Sequence, residues 1–351
     1  MKRKCVKWIF SVFALVIVFI ITLSSVVYIV DPFFQFRAKD NTYFISVQFC
    51  GSGLIKNYDY DTLILGSSMT QNFDMEIFRE MHGGKPLLIG IGGLNLKEKT
   101  ELLNIAYQAD RADTYYVCVD LYQYTNDDES HNPQYLLKED FLSRCRYFLN
   151  YEAWFHFIPI DLGMMAADKL GVHLPESIQA ARRVDNIDNW ESYFTFGEEE
   201  VLNNYYYDAY GVSDVDTNDL YNQMTQRIDT YFDSLQPDKG EHILFFPPYS
   251  MLYWASRSEE FLSIMLDAKK YYIEKAFESG IKVFDFQTAE FTADLNYYKD
   301  LTHYSGEIND WMTEQFALDE YVLTKDNYMI YLDELQKKAS DFKENRAELF
   351  R

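Results

Sequence analysis

Thr62-Leu63-Ile64-Leu65-Gly66-Ser67-Ser68-Met69-Thr70 is the stretch that sets the fold. Residues 62–65 are mostly apolar and lack the alternation of a strand with one face in water, which is the pattern of a strand covered on both faces. The run passes directly into Gly66-Ser67-Ser68, and Met75, Phe78 and Met81 then recur at helical spacing. Four further short apolar runs, 86–91, 115–119, 243–246 and 281–284, alternate with helical patterns. Residues 94–109 form one such helix. Phe261, Met265, Ala268, Tyr272 and Ala276 mark another, closed by Gly280 in the position of a C-cap. Repeated βαβ units predict an α/β fold with one parallel, doubly wound sheet, helices on both faces, and ligand sites at the carboxyl ends of the strands.

The alternation breaks off between about 126 and 239. That stretch holds Trp154, Phe155, Phe157, a helix over 162–170, an aromatic and acidic run around 190–210, and a helix carrying Leu220, Met224, Ile228, Tyr231 and Leu235. It reads as a mostly helical insertion or cap. Asp214, Asp216 and Asp219 lack the glycine and distal glutamate of an EF-hand loop, so they read as a solvated loop and helix start. Tyr328, Tyr331, Leu335, Ala339 and Phe342 form the stripe of a closing helix.

The first thirty residues are physically separate from this body. From Trp8 to Val30 the chain runs 23 residues without a charge, enough at ~1.5 Å per residue to cross a ~30 Å hydrocarbon core. Lys2, Arg3, Lys4 and Lys7 precede the run and Asp31-Pro32 follows it, an asymmetry that holds the N-terminus in the cytoplasm. The run is longer than a signal-peptide core and ends in Tyr28-Ile29-Val30 without a small-x-small site. The expectation is an uncleaved single-pass anchor, residues 1–31 with the span at 8–30, and an extracytoplasmic body over 32–351.

Composition narrows the function classes. The chain has 351 residues, 48% hydrophobic and 25% charged, values of a globular body rather than of a disordered or polytopic membrane chain. Fifty-five acidic residues against 32 basic ones give −23, and such a surface repels a phosphate backbone, so nucleic-acid binding is not expected. Twenty-nine tyrosines and 27 phenylalanines serve the core first, although exposed rings make flat apolar platforms. Beyond the span, Cys50, Cys118 and Cys145 are odd in number and have no C-x-x-C spacing, which encodes neither a disulfide framework nor a structural metal. His82, His131, His156, His173 and His242 show no metal-like pairing, so no catalytic zinc is expected. Gly90-x-Gly92 followed by Asn95 fails the dinucleotide fingerprint at its third glycine, and no cofactor is expected.

Chemistry concentrates at two places. A serine in the turn after the first strand is exposed at the sheet's carboxyl edge, where N–H groups at a helix start can stabilise an oxyanion. Either Ser67 or Ser68 fits that description, and Ser68 is nearer the helix. Asp300-Leu301-Thr302-His303 follows the last strand. An aspartate three residues before a histidine can bind one imidazole nitrogen and leave the other to take a serine proton. The Ser68 to His303 contact is expected to be the looser of the two, by up to a few ångströms.

Gly66-Ser67-Ser68 together with Asp300-x-x-His303 resembles the SGNH (GDSL-like) hydrolase superfamily. More narrowly it resembles membrane-anchored, extracytoplasmic bacterial members: the D-alanyl transfer protein of lipoteichoic acid synthesis and the alginate O-acetylation proteins. The resemblance covers roughly 59–125 and 242–318. It implies a three-layer, flavodoxin-like fold, with Ser68 as nucleophile, Asp300 and His303 completing the triad, and the N–H groups of Ser68 and Gly93 holding the oxyanion. The family's Gly-x-Asn-Asp block is not recognisable; Asp120-Leu121-Tyr122-Gln123 occupies the place after the third strand. The resemblance further implies O-acyl transfer or ester hydrolysis on a cell-envelope glycan or teichoic-type polymer, with a multi-pass membrane acyltransferase as partner. The alternative from another class is a catalytically silent envelope scaffold or glycan-binding protein, to be told apart by whether Ser68 and His303 meet.

Overall fold

A computed structural model describes residues 2–39, 46–125, 133–138, 140–180, 182–205 and 217–350. His131, Asp214 and Asp216 lie outside these residues. Five strands, β1 (Thr62–Gly66), β2 (Pro86–Gly90), β3 (Thr114–Cys118), β4 (Glu241–Phe246) and β5 (Lys282–Asp285), form one all-parallel sheet in the order β2-β1-β3-β4-β5. The protein is therefore α/β, with flanking helices and an additional N-terminal apolar helix. Each strand buries every residue after its first, as uninterrupted apolar runs require. After β1 the chain pairs β2 on one side and then crosses to β3 on the other. The strand order thus reverses at β1, which opens a crevice at its carboxyl end.

Element boundaries move by a few residues for local reasons. The helix expected over 94–109 runs Leu96–Ala109, because Asn95 and Glu98 cap each other: Glu98 N donates to Asn95 Oδ1 at 2.9 Å and Asn95 N to Glu98 Oε2 at 3.3 Å. The run expected over 281–284 starts one residue later, because Gly280 at φ 69° and Ile281, whose N–H donates to Ala276 O at 2.9 Å, close the preceding helix. The helix expected over 162–170 begins at Ile158, directly after a π-helical turn at Ala153–Phe157.

The chain divides into two compact units, Met1–Tyr58 with Asn132–Ile187, and Asp59–His131 with Asp188–Arg351. The stretch 126–239 is thus shared between them. Helix Leu220–Ser234 lies in the sheet unit, where Phe232 packs edge-on against Tyr272 of helix Glu259–Glu278 and Asp229 pairs with Lys275 at 2.9 Å. In the other unit, Val27 and Val30 from the end of helix Lys2–Val30 join Phe33, Tyr135, Leu136, Tyr147, Phe157 and Ile158 in one apolar cluster. Buried Asp31 organises the exit from that helix. Its carboxylate accepts from the N–H groups of Gln35, Phe36 and Arg37 at 2.9, 3.0 and 3.2 Å and from Tyr147 Oη at 2.9 Å. Residues Val6–Val30 are long and apolar enough to cross a membrane, as an anchor or a signal sequence would be.

Candidate active site

Gly66 ends β1 at a close approach, since a Cβ there would clash with the side chains of Thr70 and Cys118. The chain then makes a 3-10 turn, Ser68–Thr70, capped by Ser67, whose Oγ accepts from Met69 N at 3.4 Å while its carbonyl accepts from Thr70 N and Thr70 Oγ1. Ser67 is buried and Ser68 half-buried. The α-helix expected through Met75, Phe78 and Met81 follows this turn and does not begin at the serines. It begins at Met75, because Asp74 accepts from Glu76 N and Ile77 N and so takes the N-cap.

Asp300 and His303 occupy a tight loop closed by an antiparallel bridge between Tyr298 and Tyr304. Asp300 Oδ1 accepts from the N–H groups of Thr302 and His303 at 2.9 and 2.8 Å, which folds the loop around the carboxylate. Asp300 Oδ2 lies 2.8 Å from His303 Nδ1, and His303 Nε2 lies 2.8 Å from Ser68 Oγ. A carboxylate only accepts, so Nδ1 carries the proton and Nε2 is left to accept from the serine hydroxyl. The slack expected between Ser68 and His303 is absent. Tyr304 Oη and Asn309 Nδ2, both buried, donate to Met69 O at 2.9 and 3.1 Å and fasten the serine turn to the histidine segment.

Burial works against the Asp300 carboxylate, but the hydrogen bond and charge of His303, with the two backbone N–H groups, outweigh it and hold the carboxyl well below its ordinary value. Lys299 Nζ lies 3.4 Å from Asp300 Oδ2 and 4.0 Å from the centre of the Phe194 ring. Trp190 meets the His303 ring edge-on at 5.6 Å. Trp190 N donates to Asn72 Oδ1 at 3.1 Å, and Gly306 N donates to the neighbouring Glu191 carboxylate at 2.5 Å, so the segment bearing Trp190 is pinned from both sides. Sequence reasoning placed Trp190 only in an aromatic run, where nothing marks it as a neighbour of His303, and gave no role to Lys299, which adjoins Asp300 in the chain.

Gly93 takes φ 68° in the exposed turn after β2, and that turn is joined to the end of β1 by Ile91 N donating to Gly66 O at 2.9 Å. The Gln71 side chain rests against Gly90 and Gly92, with its amide about an ordinary contact distance from where a Gly92 Cβ would be. Buried Asp120 accepts from Tyr249 Oη at 2.7 Å and Gln123 Nε2 at 3.3 Å, and as a carboxylate it offers no oxyanion donor. His303 thus contacts Ser68 on one side and Asp300 on the other, while Gly93 lies on the neighbouring turn. No protein-family model matches the chain, and no curated protein matches it in sequence.

An acidic cluster surrounds Asp310. Burial first, then Asp74, Glu191, Glu314 and Glu307, push its carboxyl up to about 6. The unfolded group titrates near its ordinary ~3.9, so between those values the folded state holds a proton that the unfolded state has released, and stability falls as pH rises through that window. Asp310→Asn is expected to raise Tm at pH 7.5 by about 2–4 °C, roughly 1 kcal/mol after solvent screening, and to change it little at pH 4. Thermal melts at the two pH values check this; equal shifts at both would refute the assignment.

Proposed function

We propose that the protein is a membrane-anchored serine acyl-ester enzyme of SGNH-like type, an O-acyltransferase or esterase acting on a cell-envelope glycan or teichoic-type polymer. The observation that carries this reading is the chain of contacts Ser68–His303–Asp300, with 2.8 Å at each step, at the carboxyl edge where the strand order reverses. It favours an enzyme over a silent scaffold, which has no need of a serine presented to an oriented imidazole.

In this mechanism Ser68 Oγ attacks the ester carbonyl while His303 Nε2 takes its proton. The oxyanion meets the Ser68 N–H, one of those a helical turn leaves without an internal acceptor, the Gly93 N–H, and the Gln71 amide. His303 returns the proton to the leaving alkoxide, and the acyl group stays on Ser68. Water or a sugar hydroxyl then attacks the acyl-serine, again deprotonated by His303. Trp190 walls the histidine, and Phe194 and Tyr193 beside it are 51% and 80% exposed, a set of rings suited to the apolar faces of sugar residues. A multi-pass acyltransferase that delivers the acyl group across the membrane is the partner this chemistry calls for.

Val27 and Val30 favour an anchor over a cleaved signal, because cleavage before Asp31 would remove both from the cluster they share with Phe33 and Tyr147. The body then lies outside the cytoplasm. Mixing the full-length protein with a chromogenic acetyl ester should give a burst of product and an intact-mass increase of one acetyl group. Added envelope glycan accelerates turnover and becomes acetylated if transfer outruns hydrolysis. The absence of both burst and adduct would defeat the enzymatic reading.

A further inference from the structure

The unit that carries the apolar helix has a second feature that the acyl-ester chemistry does not use. Directly after the helix, Arg37 folds back so that its guanidinium donates to Tyr28 O at 2.5 Å, and Lys39 Nζ reaches Val30 O at 2.5 Å. These cations satisfy carbonyls that the helix end leaves open and complement its dipole. Next to them is a cavity of about 220 Å³, lined by Gln35, Lys56, Lys138, Ser143, Arg144 and Tyr147 among others. One wall is tied to the helix exit, since Gln35 N and Tyr147 Oη both donate to Asp31.

Three cations therefore line one small cavity in a strongly acidic protein. The charge is unevenly distributed: residues 31–58 and 132–187 hold nine acidic and nine basic side chains, whereas the sheet unit holds 46 acidic and 19 basic ones. Lys56 Nζ donates to Gln35 Oε1 at 3.3 Å. Lys138 and Arg144 are exposed and make no ion pair among the described residues. Among the described acids that touch the lining, Asp140 is already engaged, accepting from Leu142 N, Ser143 N and Ser143 Oγ as a helix cap, and buried Asp31 is engaged by Gln35 N and Tyr147 Oη. The volume is several times the ~30 Å³ of one liquid water, which accommodates a phosphodiester and its first carbons. Arginine matches phosphate oxygens in fork geometry and lysine supplies a point charge.

We propose that this pocket binds the phosphate group of an anionic membrane lipid and so seats the unit on the bilayer surface. The proposal rests on the anchor reading, which puts Gln35, five residues past Val30, at headgroup depth. Native mass spectrometry of the full-length chain, released from mixed phosphatidylglycerol and phosphatidylcholine nanodiscs, tests it. The wild type should retain phosphatidylglycerol in preference. Lys138→Gln with Arg144→Gln should weaken that retention roughly thirtyfold, while Lys169→Gln, an exposed cation of the same unit outside the pocket, should leave it unchanged. Equal retention of the two lipids, or an unaffected double variant, overturns the proposal. Binding of glycerol phosphate without phosphatidylglycerol overturns the lipid as its source. The intact mass separates the two readings: a chain lacking its first thirty residues refutes the anchor, whereas a full-mass chain indifferent to phosphatidylglycerol refutes the pocket alone.

Discussion

Ser68→Ala is expected to abolish labelling by a fluorophosphonate probe and to lower turnover of an acetyl ester by about 10⁴-fold or more. The size of the effect follows from the geometry. Ser68 Oγ is the hydroxyl at 2.8 Å from His303 Nε2, while Ser67 is buried and uses its oxygens to cap the turn. Removing Ser68 leaves no nucleophile; removing Ser67 loosens a cap worth about 1 kcal/mol and leaves the reacting pair in place. Ser67→Ala should therefore still label, more slowly. Intact-mass measurement after probe treatment reads both variants. Labelling that survives Ser68→Ala and vanishes with Ser67→Ala would show that the neighbouring serine is the nucleophile, and an unlabelled wild type would favour a silent scaffold.

Asp300→Asn should cost about as much, on the order of 10⁴-fold in turnover, by a different route. Asparagine can still accept from the N–H groups of Thr302 and His303, so the loop keeps its shape. Its amide, however, presents a donor to Nδ1. The imidazole then carries its proton on Nε2, pointed at Ser68, and cannot take the serine proton. A loss of rate far out of proportion to a modest fall in Tm at neutral pH distinguishes this from collapse of the loop. Acid gives a second readout. The folded Asp300 carboxyl titrates below its ordinary value, so the pair adds stability above the ordinary carboxylate range and loses it as pH falls through and below that range. The variant should flatten this acid limb of the Tm profile. Wild-type turnover in Asp300→Asn would remove the aspartate from the mechanism.

The stretch 126–239 shows how far a helical pattern can be read. Its helical stripe Leu220, Met224, Ile228 and Tyr231 is correctly amphipathic, yet amphipathicity says only that a face is buried, not against what. That face belongs to the sheet unit, whereas residues 132–187 pack with the N-terminal segment. Two buried lysines were equally invisible. Lys99 Nζ donates to Cys118 O at 2.7 Å and Gln123 Oε1 at 2.8 Å, and Lys269 pairs with Asp285 at 2.6 Å with neither side chain exposed. On a helix each reads as a solvated charge, because its partner comes from another element.

What the amino-acid sequence by itself determines here is everything with a short period. The five strands show as apolar runs, the parallel sheet as their alternation with helices, the apolar N-terminal helix as uninterrupted length, and Asp300 and His303 as a three-residue spacing within one loop. Backbone sterics, hydrogen bonding and burial act within a few residues in each case, so the signal stays local. Only the tertiary structure decides that Ser68 meets His303 and that Trp190 walls it. Those choices depend on how the serine turn is rotated when Tyr304 and Asn309 grip Met69 O across more than 200 residues of chain. A contact at that separation leaves no periodicity to read, because it exists only after the order β2-β1-β3-β4-β5 has brought the two loops to one edge of the sheet.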